Sequence, residues 1–102
     1  MGFEKWGYKF DGPFHSPEKL QDHSGIYVIW CRGEKNWTVL DVGEAADVNE
    51  RVSNLDQVNC WSRNCLGIIC YSAIYTPNLQ QEGRMEIEKK IKSITNPPCG
   101  EN

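Results

Sequence analysis

The sequence around Arg51 predicts a structure that can place this cation beside an anion. Arg51 comes eight residues after Gly43, at the end of the segment 24–51. Two apolar runs in that segment flank the polar turn RGEKN, and a stretch of helical periodicity follows. This order predicts a β-hairpin that leads into a helix. Arg51 lies beside the apolar stripe of the helix, so its guanidinium, a good donor to anionic oxygens, can lean over the sheet edge. The alternative is a solvated arginine on an exposed helix face.

Tyr27 and Glu88 could also take part in catalysis, but a purely structural role can explain each of them. Tyr27 lies in the apolar run GIYVIWC, so it can also be a core aromatic whose hydroxyl reaches a backbone partner. Glu88 flanks the isoleucine stripe of a late helical segment, as does Glu86, and periodicity alone does not choose between them. Without further information, Glu88 is best interpreted as an exposed glutamate paired with Lys92 at i+4.

The cysteines offer a weak case for metal binding. The chain has five of them and no apolar signal segment at its N-terminus, so reduced thiols are the expectation. Cys31 and Cys70 lie in predicted strands and are expected to be small packing residues. Cys60, Cys65 and Cys99 lie in predicted loops, but neither a Cys-x2-Cys pair nor a nearby histidine supports a zinc site.

Length, composition and charge limit the function classes. A chain of 102 residues with 39% apolar and 25% charged residues is expected to form one small globular domain. No apolar run approaches the ~20 residues needed to span a bilayer, which predicts a cytoplasmic protein without membrane contact. The net charge of −3 is unusual for a dedicated nucleic-acid binder, and basic residues cluster only locally, at Lys89, Lys90 and Lys92.

The hydrophobic patterns predict the elements that position these residues. They indicate an α+β fold, with a small central antiparallel three-stranded sheet flanked by helices in the order β-β-α-β-α. Residues 1–23 are predicted to be an N-terminal extension packed on a domain of residues 24–102. Trp61 is expected either to cap the core or to be exposed. Strands are predicted over residues 25–31, 37–42 and 67–75, helices over 44–55 and 79–93, and a loop over 57–65.

The faces of these elements follow from residue spacing. The first central strand should place Ile26, Val28 and Trp30 on one face and Tyr27, Ile29 and Cys31 on the other. The last helix should bury Ile87, Ile91 and Ile94.

Several motifs occur in an order that resembles the GIY-YIG nuclease superfamily. Gly25-Ile26-Tyr27 matches the first half of the family's name, and Asp41-Val42-Gly43 stands where Tyr-Ile-Gly is found. Arg51 is at the family's distance from the second glycine, Glu88 has the family's flanking isoleucines, and Pro97 follows nine residues later. The resemblance covers residues 24–102.

This resemblance implies metal-dependent hydrolysis of a DNA phosphodiester. It makes Tyr27 a general base or an orienter of the attacking water, which needs a nearby cation because free tyrosine has a pKa near ~10. Arg51 would stabilise charge on the phosphate, and Glu88 would hold one divalent ion, Mg²⁺ or Mn²⁺. Gly43 would allow close approach of the backbone at a strand-to-helix junction. Asn102 would support the site.

Two residues depart from the family pattern. Asp41 replaces the second tyrosine, so it either abolishes activity, takes over the role of base, or adds a metal ligand. Glu44 stands where some relatives carry a lysine, which makes the neighbourhood more acidic. With no separate DNA-recognition domain, the chain would need a protein partner or would act on DNA structure.

Three functional hypotheses follow. The first is a small metal-dependent endonuclease that uses Tyr27, Arg51 and Glu88, with Asp41 as a fourth catalytic residue. The second is a catalytically impaired relative that serves as a binding or interaction module. The third is a hydrolase of small phosphate esters, for which the sequence defines no substrate pocket.

Overall fold

A computed structural model describes residues 2–100 of the chain. Within that range the backbone forms five strands, three α-helices and a short 3-10 turn at Pro17–Lys19. The predicted α+β class is therefore confirmed. The strands are β1 (Gly2–Lys5), β2 (Tyr8–Phe14), β3 (Gly25–Arg32), β4 (Trp37–Ala45) and β5 (Ile68–Tyr75). The helices are α1 (Val48–Ser53), α2 (Val58–Arg63) and α3 (Gln81–Thr95).

All described strands belong to one antiparallel sheet in the order β1-β2-β5-β3-β4. Side chains of successive residues point to opposite faces of a strand, so β3 contributes to two apolar clusters as predicted. Helices α1 and α2 cover the face that carries Tyr27, through Val48, Val52 and Trp61. Helix α3 covers the face that carries Ile26, through Ile87 and Ile91.

The sheet has five strands, so the prediction of a three-stranded sheet was wrong. The two additional strands come from the segment predicted as an extension, where β1 and β2 form a hairpin around Trp6 and Gly7. Strand β2 pairs with β5, and Phe10 is buried in the cluster beneath α3. The alternation of Tyr8 and Phe10 with polar residues was the available signal, but it did not reveal the long-range partner of β2.

The helices also differ from the prediction. The expected helix from residue 44 begins only at Val48, because Glu44 and Ala45 still pair with β3 and Asp47 caps the helix through its side chain. A second helix, α2, occupies the expected loop of residues 57–65 and buries Trp61. The order β-β-α-β-α therefore lacks two strands and one helix that the structure contains.

Helix α3 lies close to its predicted range, but its last apolar residue is not buried. Ile91 is fully buried and Ile87 is partly buried against the same cluster. Ile94, in the last turn of the helix, is half exposed, contrary to the prediction, because it borders an open cavity instead of the packed cluster. No helix formed by residues 2–100 is long and apolar enough to cross a membrane.

A β-bulge interrupts β4 beside the candidate site. Ile29 pairs with Asp41, but the next residue of β3, Trp30, pairs with Val39. Leu40 is therefore an extra residue on β4. Residues directly opposite each other in an antiparallel pair share a face, so Asp41 lies on the face of Ile29, towards α1 and α2.

The cysteines are paired, contrary to the expectation of reduced thiols. Cys31 is bonded to Cys65, and Cys60 to Cys99, while Cys70 is a free buried thiol. The pattern missed these bonds because their partners are 34 and 39 residues apart. The second bond ties α2 to the segment after α3, which the backbone bond from Cys99 N–H to the Leu40 carbonyl also holds against β4.

Candidate functional site

The four residues predicted as catalytic line one cavity of about 380 Å³. Each comes from a different element: Tyr27 from β3, Asp41 from β4, Arg51 from α1 and Glu88 from α3. Strand β4 is at the sheet edge, and α1 and α3 pack on opposite faces of the sheet. The cavity therefore lies at the β4 edge, where side chains from both helices line it.

Gly43 allows Tyr27 to enter this cavity. The two residues pair across β3 and β4. A Cβ atom on Gly43 would overlap the ring and the hydroxyl oxygen of Tyr27. Gly43 lies within β4 and not at the strand-to-helix junction we predicted, because β4 continues to Ala45. Gly43 therefore leaves space for the aromatic side chain of Tyr27 and not for the close approach of a backbone segment.

Tyr27 is a neutral hydroxyl that interacts with Arg51. Burial and the carboxylate of Asp41 raise the pKa of Tyr27 to about 12, although a hydrogen bond from the Arg51 side chain lowers it. The predicted help from a cation is therefore present, but it is smaller than the opposing effects. At neutral pH the hydroxyl keeps its proton, so it can donate a hydrogen bond but is a poor base.

Asp41 is a buried carboxylate with one oxygen left unpartnered. Its side chain is only 1% exposed. Oδ2 accepts a hydrogen bond of 2.9 Å from the indole N–H of Trp61, whereas Oδ1 has no hydrogen-bond partner among residues 2–100. Gly100 lies against Oδ1 so closely that a Cβ there would be 2.6 Å away. The C-terminal segment thus covers this oxygen.

The environment of Asp41 disfavours its charged form. Burial raises the pKa of Asp41 above its ordinary value, and the Trp61 hydrogen bond and the Lys92 ammonium only partly offset this. Glu88 raises the same pKa further because it is a second negative charge. A carboxylate with a raised pKa is a stronger base than an ordinary aspartate, and its bare oxygen favours a cation or a proton.

Glu88 faces the cavity but is already ion-paired. Its carboxylate lies 2.8 Å from the ammonium of Lys92, one helical turn later, and both side chains are partly buried. The i+4 ion pair with Lys92 that we considered for Glu88 is thus present, but it lies in the cavity instead of on an open surface. Glu86 is exposed and does not line the cavity, so the choice of Glu88 over Glu86 matches the side of α3 that faces β4.

The excess negative charge expected at Glu44 is compensated. Arg84 of α3 donates a hydrogen bond of 2.9 Å to Glu44, and both side chains are largely buried. No local pattern predicts this pair, because the two residues are forty positions apart. Lys92 and Gly100 were also missed as cavity residues, and Trp61 was missed as the hydrogen-bond donor to Asp41. Of these, only Lys92 had a usable signal, its i+4 spacing from Glu88.

The donor set can be tested against the predicted divalent ion. Mg²⁺ is commonly bound through one or two carboxylates, with water and phosphate oxygens as its other ligands. Asp41 and Glu88 supply two carboxylates in one cavity, and Oδ1 of Asp41 has no hydrogen-bond partner among residues 2–100. Within residues 2–100 no group of three or more metal-ligating side chains is found. The residues therefore fit an ion held largely by water and substrate, in competition with Lys92.

The remaining predicted site residue, Asn102, lies outside the described residues. Comparisons with known proteins do not extend the assignment: no family model matches the chain, and neither a curated protein nor a solved structure matches it. The case for a function therefore depends on the cavity itself.

Proposed function

We propose that the chain is a metal-dependent endonuclease that hydrolyses DNA phosphodiester bonds and resembles the GIY-YIG nucleases. The observation that carries this proposal is the convergence of Tyr27, Asp41, Arg51 and Glu88 on one cavity. They were chosen by motif and spacing alone, and they come from four separate elements. A chance resemblance in sequence has no reason to bring such distant residues together.

Arg51 and Tyr27 act on the phosphate in this proposal. The guanidinium of Arg51 donates to phosphate oxygens, where it opposes the negative charge that grows in the transition state. Tyr27 keeps its proton, since its pKa is about 12. It therefore orients the attacking water or a phosphate oxygen by hydrogen bonding, and the alternative role of general base is disfavoured.

Asp41 takes the proton of the attacking water. Its raised pKa makes it a stronger base than an ordinary aspartate. Gly100 shields Oδ1, so the C-terminal segment must move before water reaches this oxygen. This assigns a base role to the residue that stands in place of the family's second tyrosine.

Glu88 would hold the divalent ion, Mg²⁺ or Mn²⁺. When bound, such an ion neutralises charge on the leaving oxygen. Lys92 must first release Glu88, because the carboxylate and the ammonium are in direct contact. Lys92 can then turn to the substrate phosphate, which also attracts an ammonium group.

The test is a plasmid-nicking assay with and without Mg²⁺ or Mn²⁺. We expect nicking that requires the metal and that falls by at least ~100-fold in Glu88→Ala and in Arg51→Ala, the typical effect of removing one group that stabilises a transition state. Glu86→Ala is the matched control on the same helix and should retain activity. Absence of metal-dependent nicking, or nicking that survives Glu88→Ala, contradicts the proposal.

A second candidate is a catalytically impaired binding or interaction module. The observation that favours it is the ion pair between Glu88 and Lys92, which satisfies the proposed metal ligand without any metal. Titration calorimetry separates the two candidates. The nuclease should bind Mn²⁺, and Lys92→Met should bind it more tightly because Glu88 is released, whereas Lys89→Met should behave as wild type. Failure of both wild type and Lys92→Met to bind Mn²⁺ would favour the module.

The proposed partners are DNA and, for specificity, a protein partner. The predicted cytoplasmic location remains a proposal, and the two disulfides argue against a strongly reducing compartment. Mass spectrometry of the protein from its natural cells, with free thiols alkylated on lysis, would show whether the two bonds exist there.

A further inference from the structure

A second and larger cavity lies on the other face of the sheet from Tyr27. Its volume is about 790 Å³. Trp30 and Val39, which help to line it, belong to the apolar cluster beneath α3. None of its described lining residues is shared with the candidate active site. The proposed nuclease mechanism makes no use of this aromatic cavity, the space lined by Trp6, Trp30 and Trp37.

Three tryptophans give the aromatic cavity flat walls. The rings of Trp6 and Trp30 are stacked, with centroids 5.6 Å apart and an angle of 5° between their planes. Trp37 meets Trp30 edge-on and is 45% exposed. Trp6 also has a φ of 53°, in the left-handed region that bulky residues rarely adopt. A large aromatic ring is thus held at a turn position where glycine or asparagine is favoured.

The charges around the aromatic cavity are positive. Lys5 lines it and lies over the ring of Trp6, and Arg32 lies over the ring of Trp37. No carboxylate of residues 2–100 lines it, although the whole chain carries a net charge of −3. A ligand cation such as a quaternary ammonium would be repelled by the two side chains. An anion with a flat aromatic part matches both the walls and the charges.

We propose that the aromatic cavity binds an unpaired nucleobase and the phosphate beside it. Base stacking on exposed aromatic side chains is a common means of holding single-stranded nucleic acid, and it tolerates any base. Trp37 offers the exposed ring, while Lys5 and Arg32 neutralise the phosphate. The hydroxyl of Thr38 and the amides of Asn64 and Asn96 also line the cavity and can bond the edge of a base.

The two cavities are close enough in the fold to share one substrate. Leu40 lines the aromatic cavity and the next residue, Asp41, lines the candidate active site. In the C-terminal segment, Pro98 lines the aromatic cavity and Gly100, two residues later, lines the candidate active site. If the chain is a nuclease, it should prefer DNA with an unpaired base next to the cleaved bond, and this substrate preference rests on the proposed function. Binding of a nucleobase in the aromatic cavity does not depend on nuclease activity.

The test measures binding without cleavage. A fluorescently labelled oligonucleotide of twelve thymidines is titrated with the protein in the presence of EDTA, and its anisotropy is compared with that of a GC-rich duplex of equal length, which stays paired at the assay temperature. We expect the single strand to bind at least tenfold more tightly than the duplex. Trp37→Ala should weaken binding of the single strand by about tenfold, and Trp37→Phe should restore much of it, because stacking needs a ring.

The charge argument has its own variants in the same assay. Lys5→Ala should weaken binding and reduce its salt dependence, since one phosphate contact is lost. Lys35→Ala, at the exposed β3–β4 turn, and Leu66→Ala, at a fully exposed apolar residue, are the controls and should bind as wild type. Circular dichroism of each variant verifies that it is folded.

Each outcome decides the inference separately from the nuclease proposal. Equal affinity for single strand and duplex, wild-type affinity in Trp37→Ala, or binding of tetramethylammonium in place of the oligonucleotide would overturn the aromatic cavity as a nucleobase site. Specific binding without metal-dependent nicking would uphold it while the nuclease proposal fails. Nicking of unpaired and fully paired DNA at equal rates, with no effect of Trp37→Ala, would give the reverse result.

Discussion

The contact between Gly43 and Tyr27 shows how one missing side chain builds the site. The Tyr27 hydroxyl occupies the volume that a Cβ on Gly43 would need, and Arg51 donates to that hydroxyl from α1. Both residues are buried within paired strands, so neither backbone can shift easily to relieve a clash. The position of the hydroxyl is therefore determined by the absence of a side chain on the neighbouring strand.

Gly43→Ala should destabilise the protein and displace Tyr27. Overpacking of a tight core typically costs ~1–3 kcal/mol, and we expect a loss in that range in urea unfolding, together with lower nicking activity. Gly83→Ala is the matched control. Its new Cβ would meet only the flexible side chain of Leu79, at 3.3 Å or more. Alanine is favoured by up to ~1 kcal/mol over glycine within a helix, so this variant should be as stable as wild type or more so. Equal stability of Gly43→Ala and wild type would refute the proposed clash.

Asp41 should make stability fall as pH rises. The ordinary pKa of an aspartate side chain is 3.8, and in the folded protein the pKa of Asp41 is raised, mainly by burial. Between those two pKa values the folded state holds a proton that the unfolded state has released, so raising the pH favours unfolding. The penalty is absent below the ordinary pKa and complete above the folded-state pKa.

Asp41→Asn removes that penalty and keeps an oxygen that can accept from Trp61. We expect the variant to be more stable than wild type at pH 7 and the difference to disappear as pH falls below the ordinary pKa of 3.8. Urea unfolding at several pH values measures this, and Asp56→Asn, at an exposed aspartate, serves as the control. The same Asp41 variant should lose nicking activity. A variant less stable than wild type at pH 7, with no pH dependence of the difference, would contradict this account of Asp41.

The sequence predicted the residues of the site better than their partners. Tyr27 and Glu88 follow from motif and spacing, since each lies in a local pattern. The bond from Trp61 to Asp41 and the ion pair of Arg84 with Glu44 join residues 20 and 40 positions apart. No local pattern encodes such pairs, because they exist only after the chain has folded. The raised pKa of Tyr27 was unpredictable for the same reason, since it depends on burial and on Asp41.

At the scale of elements, the C-terminal segment acts as a cover for Asp41. It is attached to β4 by the bond from Cys99 N–H to Leu40, and to the residue before α2 by the bond from Gly100 N–H to the Gln57 side chain. The disulfide between Cys60 and Cys99 adds a covalent tie to α2. The sequence predicted that the last helix ends near residue 93, but not that the residues beyond it return to the site.

Removal of the disulfide between Cys60 and Cys99 should loosen this cover. The double variant Cys60→Ala/Cys99→Ala should lose ~2–4 kcal/mol of stability, the usual contribution of such a crosslink. It should also speed hydrogen exchange at the amide of residue 99 and shift the resonance of the Trp61 indole.

The other disulfide provides the control. Cys31→Ala/Cys65→Ala removes a bond of similar span, 34 against 39 residues, and so should cost a similar amount of stability. It should leave exchange at residue 99 slow, because that bond does not involve the C-terminal segment. Equal exchange rates at residue 99 in the two double variants would mean that the disulfide does not hold the cover.

At the scale of the whole molecule, the N-terminal segment completes the sheet. The sequence predicted the α+β class and the strands around β3, because their apolar runs are strong and bounded by turns. It did not predict that β2 pairs with β5, along the edge of β5 that does not face β3. That pairing depends on a register between residues some sixty positions apart, such as Asp11 with Ala73, which alternation along one strand cannot specify.

Deletion of residues 1–14 should therefore prevent folding instead of trimming a tail. It would expose the β5 edge and uncover the cluster beneath α3, from which Phe10 would be missing. Phe10→Ala in the full chain should cost ~3–5 kcal/mol, as expected for a large buried aromatic, while Lys9→Ala at the exposed neighbour should change stability little. Circular dichroism and urea unfolding measure both effects. A truncated chain that unfolds cooperatively with wild-type stability would show that the domain begins only at β3. The β1–β2 hairpin, which helps to line the aromatic cavity, would then be an addition to an independent fold.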